Sequence, residues 1–222
     1  MNGAAPALSV AGLDVTLDGA RILRGVSLEV QKGETVGLVG HNGAGKTTTL
    51  RAVMGLIRSA GRVHVDGDPI DGWEPAKRAR RGIGYVPEDR RLITALTVAE
   101  NMRLPAEACG AAPAEVERRL TAVCTVLPEL KELVRRPAGV LSGGQQKMAA
   151  LGRALMIGDR LLLLDEPFQG LAPALARRYG EALTALREHR PDTAILITES
   201  NPALLASLAE RVYTIERGEI AG

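Results

Sequence analysis

The spacing of hydrophobic residues changes twice along the chain and divides it into three parts. Up to about residue 70, short apolar runs predict β-strands at 10–17, 26–30, 34–39 and 61–67. From about 88 to 139 the spacing becomes helical, and Pro113 opens a helix with Val116, Leu120, Val123 and Leu127 on its apolar face. After residue 139, strands are predicted at 161–165, 193–198 and 211–215, with a helix at 173–188 between the first two.

Strands that alternate with helices are typical of a mainly parallel sheet covered by helices. We therefore predict an α/β fold with an N-terminal antiparallel β portion, all in a single domain of residues 1–222. Its core would comprise about 1–87 and 140–222, and a helical subdomain of about 88–139 would be inserted between them.

Composition narrows the class of protein. A net charge of +2 and an aromatic content of 2% provide neither a strongly basic surface nor stacking platforms, so we expect no nucleic-acid partner. No apolar run approaches the roughly 20 residues that span a bilayer. Residues 1–7 lack a secretion signal. Any membrane-spanning part would therefore belong to another polypeptide. Cys109 and Cys124 lack metal-ligand spacing and fit a reducing cytoplasm.

A glycine-rich turn between the predicted strand at 34–39 and a predicted helix at 46–57 fits the phosphate-loop pattern G-x-x-x-x-G-K-[ST]. Successive backbone N–H groups in such a turn converge on an anion, and the start of the helix adds its positive dipole end. Lys46 would reach the β- and γ-phosphates, and Thr47 would offer its hydroxyl to Mg²⁺. The pattern predicts a nucleoside triphosphate site formed by Gly40, Asn42, Gly43, Gly45, Lys46, Thr47 and Thr48.

Two carboxylates follow the apolar strand at 161–164. In phosphate-loop ATPases such a strand lies beside the loop, and its terminal Asp holds Mg²⁺. We therefore expect Asp165 to bind the metal. Glu166 would act as the general base that orients the water attacking the γ-phosphate, with Lys46 as the second catalytic side chain.

The sequence Leu141-Ser142-Gly143-Gly144-Gln145 precedes an amphipathic stretch and offers a second anion-binding helix start. The phosphate loop, LSGGQ and LLLLDE, in this order around a helical insert, resemble the nucleotide-binding subunit of ABC (ATP-binding cassette) transporters. This resemblance implies the phosphate-loop NTPase fold of ABC type and covers nearly the whole chain. It also implies ATP and Mg²⁺ as ligands.

The resemblance also implies partners and a location. Two subunits of this family pair head to tail, so Ser142, Gly143 and Gly144 would contact the γ-phosphate held by a second ATPase subunit, identical or different. Integral-membrane permease subunits would place the protein peripherally on the cytoplasmic face of the cell membrane. A soluble substrate-binding protein would act indirectly.

Finer features resemble the ATPases of branched-chain amino-acid importers. They lie at 82–88, Arg90-Arg91, 96–101, 170–173 and 198–201. The resemblance implies that this subunit powers the import of branched-chain or related amino acids.

Three positions depart from the general family pattern. Leu17 stands at the position of the aromatic residue that stacks on adenine. Glu88 replaces the glutamine that senses Mg²⁺, and Ser200 replaces the histidine that contacts the γ-phosphate. Because Leu17 offers no π-face and the Ser200 hydroxyl is short, we expect slow basal ATP hydrolysis.

Two alternatives stay open from the sequence. One is a soluble single-cassette ABC ATPase, for example of the iron–sulfur assembly type, which has the same size. The other is a slow, ATP-gated regulatory switch, which Leu17 and Ser200 would favour and which Lys46, Asp165 and Glu166 would oppose.

Overall fold

Within residues 5–221, which the computed structural model describes, the chain folds into two β-sheets and six α-helices. The strands are β1 (Leu8–Leu17), β2 (Ala20–Val30), β3 (Thr35–Val39), β4 (Ala60–Val65), β5 (Asp68–Pro69), β6 (Ile83–Val86), β7 (Leu161–Asp165), β8 (Ala194–Glu199), β9 (Arg211–Glu216) and β10 (Glu219–Ile220). The helices are α1 (Lys46–Val53), α2 (Pro75–Arg80), α3 (Val98–Ala108), α4 (Pro113–Val126), α5 (Gly143–Leu155) and α6 (Pro173–His189). Short 3₁₀ turns lie at Pro128–Glu132, Ala138–Val140 and Pro202–Leu205.

The first sheet is antiparallel, with the strand order β2-β1-β4-β5. Along β1 the side chains of Leu8, Val10, Leu13 and Val15 are buried, whereas most of the residues between them are more exposed. This near-alternation gives the sheet one apolar face and one solvated face. The N-terminal antiparallel portion predicted from the sequence is confirmed.

The second sheet has the order β10-β9-β3-β8-β7-β6, in which every pair is parallel except β10 with β9. All five residues of β3, all five of β7 and all six of β8 are buried. Central strands of a parallel sheet are covered on both faces, which explains why these segments are almost continuously apolar. The α/β fold class is confirmed.

Alternate residues of the parallel sheet belong to two separate cores. Leu161 and Leu163 pack into the core that contains the antiparallel sheet and α1. Leu162 and Leu164 pack into the core that contains residues of α3, α4, α5 and α6. Because successive side chains of a strand point to opposite faces, α1 and α5 lie on opposite sides of the sheet.

Several element boundaries differ from the sequence prediction. Helix α1 ends at Val53 rather than at residue 57, since Gly55 has a φ of 73° and turns the chain away. A Cβ atom at Gly55 would lie 2.8 Å from Nε of Arg78. Helix α3 begins only at Val98, where Thr97 and Glu100 form a capping box, so the segment before it is a loop.

Strand β6 and helix α2 were missed by the sequence prediction. Among the described residues, none of the helices combines the length and the apolar character required to cross a bilayer.

Candidate functional site

The predicted site residues of the phosphate loop and of β7 meet at the carboxyl edge of the parallel sheet. Val39 pairs with Glu199 across β3 and β8, and Asp165 pairs with Thr198 across β7 and β8. The residues that follow these strands therefore emerge side by side. Ligands of open α/β sheets bind at this edge of the strands.

The loop after β3 presents unpaired backbone donors. Gly43 and Gly45 have φ values of 82° and 115°, which other residues adopt only with strain. Gly40 is required for a different reason, because a Cβ there would lie 2.4 Å from the carbonyl oxygen of Ile215. Within the described residues, seven N–H groups of this loop and the helix start find no acceptor: those of His41, Asn42, Gly43, Gly45, Lys46, Thr47 and Thr48. Orphaned donors at a helix N-terminus fit a phosphate group.

Lys46 lies in the centre of the site with its side chain only 3% exposed. Its Nζ donates to the carbonyl oxygens of Gly40 at 2.6 Å and His41 at 3.1 Å. It also lies 3.0 Å from Oε1 of Glu166 and 3.1 Å from Oγ of Ser200. The predicted phosphate-binding cation and the predicted general base are thus adjacent.

Ser200 connects three of the predicted site residues. Its Oγ lies 2.9 Å from Oε1 of Glu166 and 2.9 Å from Oδ1 of Asn42, in addition to its contact with Lys46. Ser200 itself is exposed, so the position opens to solvent on one side. The expected effect of this short hydroxyl on hydrolysis stays a prediction.

Asp165 accepts three hydrogen bonds from side-chain hydroxyls. The donors are Thr47 at 2.9 Å, Thr198 at 2.9 Å and Tyr85 at 3.2 Å. Burial raises the pKa of Asp165, while these three hydrogen bonds act to lower it. Sequence reasoning missed Tyr85 and Thr198, although both lie in segments that it singled out.

The oxygen donors fit the chemistry of Mg²⁺. Among the described residues no group of three or more His, Cys, Asp or Glu side chains could hold a metal by itself. Mg²⁺ typically binds one or two protein oxygens together with substrate phosphates and water, and Thr47 and Asp165 supply two such oxygens. Glu88 lies exposed in the loop after β6, and within residues 5–221 it forms no hydrogen bond or ion pair.

Glu166 has an unusual backbone conformation, with a φ of 44°. Its N–H group donates to Thr198, with the hydroxyl oxygen at 3.1 Å and the carbonyl oxygen at 3.2 Å. A non-glycine residue in this region is strained by about 1–3 kcal/mol and persists only where its surroundings hold it. Such strain clusters at functional sites.

Residues 142–144 begin helix α5. Ser142 and Gln145 form a capping box, in which each side chain accepts a hydrogen bond from the backbone of the other residue. Ser142 and Gly143 are exposed, while a Cβ at Gly144 would lie 2.6 Å from Leu175 of α6. No hydrogen bond joins residues 142–144 to residues 40–48 in the part of the chain described. The two predicted anion-binding segments are therefore separate within one chain.

Leu17 is the last residue of β1 and is 38% exposed, which is high for a leucine. It precedes a turn at Asp18 and Gly19, both with positive φ.

This geometry is typical of nucleotide-binding ATPases, in which a glycine-rich loop, a lysine and two carboxylates share one sheet edge. The family model for ABC transporters matches residues 23–169. The match includes the phosphate loop, LSGGQ and both carboxylates after β7, whereas Leu17 and Ser200 lie outside it. The chain belongs to the ABC transporter family as an ATP-binding subunit and is an ATPase.

Individual relatives support this assignment. The high-affinity branched-chain amino acid transport ATP-binding protein BraG of Pseudomonas aeruginosa is 39% identical over 199 residues, covering 89% of this chain and 84% of BraG. The lipopolysaccharide export system ATP-binding protein LptB of Escherichia coli is 34% identical over 216 residues, covering 96% and 88%. The ADP conformation of MJ1267, an ATP-binding cassette of an ABC transporter, superimposes with a TM-score of 0.85 at 28% identity, covering 98% and 90%.

Proposed function

We propose that this chain hydrolyses ATP at the edge of its parallel sheet and thereby powers the import of branched-chain or related amino acids. The observation that carries the proposal is the convergence of Lys46, Glu166 and Asp165, which the chain brings together from segments more than 100 residues apart.

Each side chain has a role in this proposal. Lys46 and the orphaned N–H groups of the loop bind the β- and γ-phosphates of the substrate. Glu166 acts as the general base toward the attacking water. Thr47 and Asp165, with Glu88 as the third proposed ligand, would hold Mg²⁺, which neutralises charge on the phosphate oxygens when bound.

Ser142, Gly143 and Gly144 serve the nucleotide of a second ATPase subunit, identical or different. Two features support this role in trans: residues 142 and 143 are exposed, and α5 lies on the opposite face of the sheet from α1. ATP would then join two subunits, and its hydrolysis would release them.

The helical subdomain at about 88–139 would dock on the cytoplasmic loops of integral-membrane permease subunits and pass the conformational signal to them. A soluble substrate-binding protein would deliver the amino acid on the other side. Import of amino acids is supported by the finer sequence features and by the similarity to BraG. Similarity to the family in general does not select a substrate, since LptB belongs to a lipopolysaccharide export system.

The test is capture of the Glu166→Gln variant from its native cells in ATP, Mg²⁺ and mild detergent, with mass spectrometry of the co-purifying proteins. Lys46→Ala, which lacks the phosphate-binding cation, is the matched control. We expect a permease and a second ATPase subunit with Glu166→Gln, and less of the second subunit with Lys46→Ala. If only soluble proteins are captured, a soluble single-cassette ATPase becomes the better assignment.

A further inference from the structure

Lys147 contacts the backbone of the segment that carries Glu166. Its Nζ donates to the carbonyl oxygen of Glu166 at 3.0 Å and to that of Pro167 at 2.9 Å. Lys147 lies on helix α5 and is only 8% exposed. A lysine ammonium group is rarely buried unless it has partners, because its transfer out of water costs free energy.

The segment that Lys147 holds needs support from its surroundings. Glu166 has a left-handed backbone, and such a conformation persists only where neighbouring groups over-determine it. Thr198 accepts the N–H of Glu166, and Oε1 of Glu199 accepts the N–H of Phe168 at 3.0 Å. Lys147 therefore holds the carbonyl groups of this segment, while β8 holds its N–H groups.

Burial and neighbouring carboxylates act in opposite directions on the pKa of Lys147. Burial lowers the pKa of Lys147, and the negative charges of Glu199, Glu88 and Glu166 act in the opposite direction, with Glu199 the strongest of the three. Arg90 is the cation that acts with burial. Glu199 is itself only 2% exposed. These carboxylates favour the charged form of the lysine, and hydrogen bonds from a charged donor are stronger than those between neutral groups.

We propose that Lys147 is a positioning residue that fixes the carboxylate of Glu166 for hydrolysis and connects it to the start of α5. The inference rests on the proposed role of Glu166 as general base. Lys147 lies on the helix that Ser142 caps, about one turn and a half beyond Ser142. Movement of the helix start, where the nucleotide of the second subunit would bind, is therefore transmitted directly to the backbone of Glu166.

Three variants test this role in the complex captured from native cells. Lys147→Met keeps the length of the side chain and removes the donor, and Lys147→Gln keeps an N–H donor without the charge. Lys77→Met makes the same change at an exposed position on α2, where the lysine lies over the ring of Trp73, and is the matched control. The readouts are kcat and KM for ATP hydrolysis and the Kd for ATP.

We expect Lys147→Met to lower kcat at least about 10-fold, because a small misplacement of a catalytic group has effects of this size. KM and Kd should stay within about 2-fold of wild type, because the hydrogen bonds that Lys147 donates go to Glu166 and Pro167 and not to the phosphate loop. Lys147→Gln should recover part of kcat, and Lys77→Met should match wild type. Unchanged kcat in Lys147→Met, or an equal loss of affinity, would overturn the proposal.

Combination with Glu166→Gln separates this proposal from the proposed function. If Lys147 acts only through Glu166, Lys147→Met should cause no further loss in the residual turnover of Glu166→Gln. A further loss of the same factor would contradict the positioning role. If Glu166→Gln alone kept wild-type turnover, the role of Glu166 itself would be wrong. Should Lys147→Met fail to fold, Lys147→Gln alone and combined with Glu166→Gln gives the same comparison, with an expected loss in kcat of about 2- to 5-fold.

Discussion

Nζ of Lys46 lies 3.0 Å from Oε1 of Glu166, and the two side chains are only 3% and 7% exposed. The residue proposed to bind phosphate and the residue proposed to activate water thus form one buried ion pair. Oγ of Ser200 lies within hydrogen-bond distance of both. We therefore expect hydrolysis to depend on how these three side chains share their contacts.

Replacement of Ser200 by histidine should raise the basal rate of ATP hydrolysis. An imidazole reaches further than a hydroxyl and can offer an N–H group to the γ-phosphate, which the short serine cannot. The exposure of Ser200 leaves room for the larger ring. We expect an increase of about 3- to 30-fold in kcat, as for one added transition-state hydrogen bond. Phosphate release from the purified protein measures the rate, and Ser200→Ala, which adds no donor, should show no increase.

Replacement of Leu17 by tyrosine should strengthen ATP binding. A ring at this exposed strand end would stack on adenine, and stacking of a base on an aromatic residue contributes about 1–3 kcal/mol. Titration with a fluorescent ATP analogue would measure the Kd. Leu56→Tyr, at another exposed leucine, is the control and should bind as wild type does. Equal affinities for Leu17→Tyr and wild type would show that Leu17 does not lie against the base.

Removal of the Tyr85 hydroxyl should weaken the binding of Mg²⁺ by Asp165. The hydroxyl donates to Oδ2 of Asp165, and the loss of this hydrogen bond raises the pKa of Asp165 and frees its orientation. We expect Tyr85→Phe to need about 2- to 10-fold more Mg²⁺ for half-maximal hydrolysis, as for one hydrogen bond. Tyr213→Phe, on β9, is the control because its ring stacks near Arg211 rather than at Asp165. The result is read from a Mg²⁺ titration at saturating ATP.

Glu199 should make the stability of the protein depend on pH. Burial raises the pKa of Glu199 to about 7, from an ordinary value of 4.5. The folded state therefore binds more protons than the unfolded state between these values, so this contribution to stability is present at low pH and lost as pH rises toward 7. Glu199→Gln keeps an acceptor for Phe168 and does not titrate.

From pH 5 to pH 8, the free energy of unfolding of wild type should fall by about 1–3 kcal/mol relative to Glu199→Gln. Urea unfolding at both pH values gives the comparison. A difference that does not change with pH would contradict the expectation.

The local parts of the site could be predicted from the sequence because their function is encoded in contiguous residues. The phosphate loop, the strand before Asp165 and the LSGGQ helix start each need a fixed spacing of a few residue types. The near-continuous apolar runs of β7 and β8 also indicated a buried parallel sheet.

The contacts between distant segments could not be predicted in this way. Ser200 contacts Lys46, which is 154 residues away in the sequence, and Tyr85 contacts Asp165, which is 80 residues away. These contacts follow only from the order of the strands in the sheet. Strand β6 has four residues, one of them Gly84, and is too short for its periodicity to distinguish it from a loop. The end of α1 was placed too late because Met54 and Ile57 continue the apolar spacing beyond the glycine that stops the helix.

The most direct test of the central claim is ATP turnover by the captured complex with either wild-type chain or Glu166→Gln. We expect wild type to release phosphate repeatedly. Glu166→Gln should retain bound, uncleaved ATP, with a turnover lower by at least about 100-fold, as for the loss of a general base. Hydrolysis by Glu166→Gln at the wild-type rate would contradict the claim that Glu166 and Lys46 form the hydrolytic site.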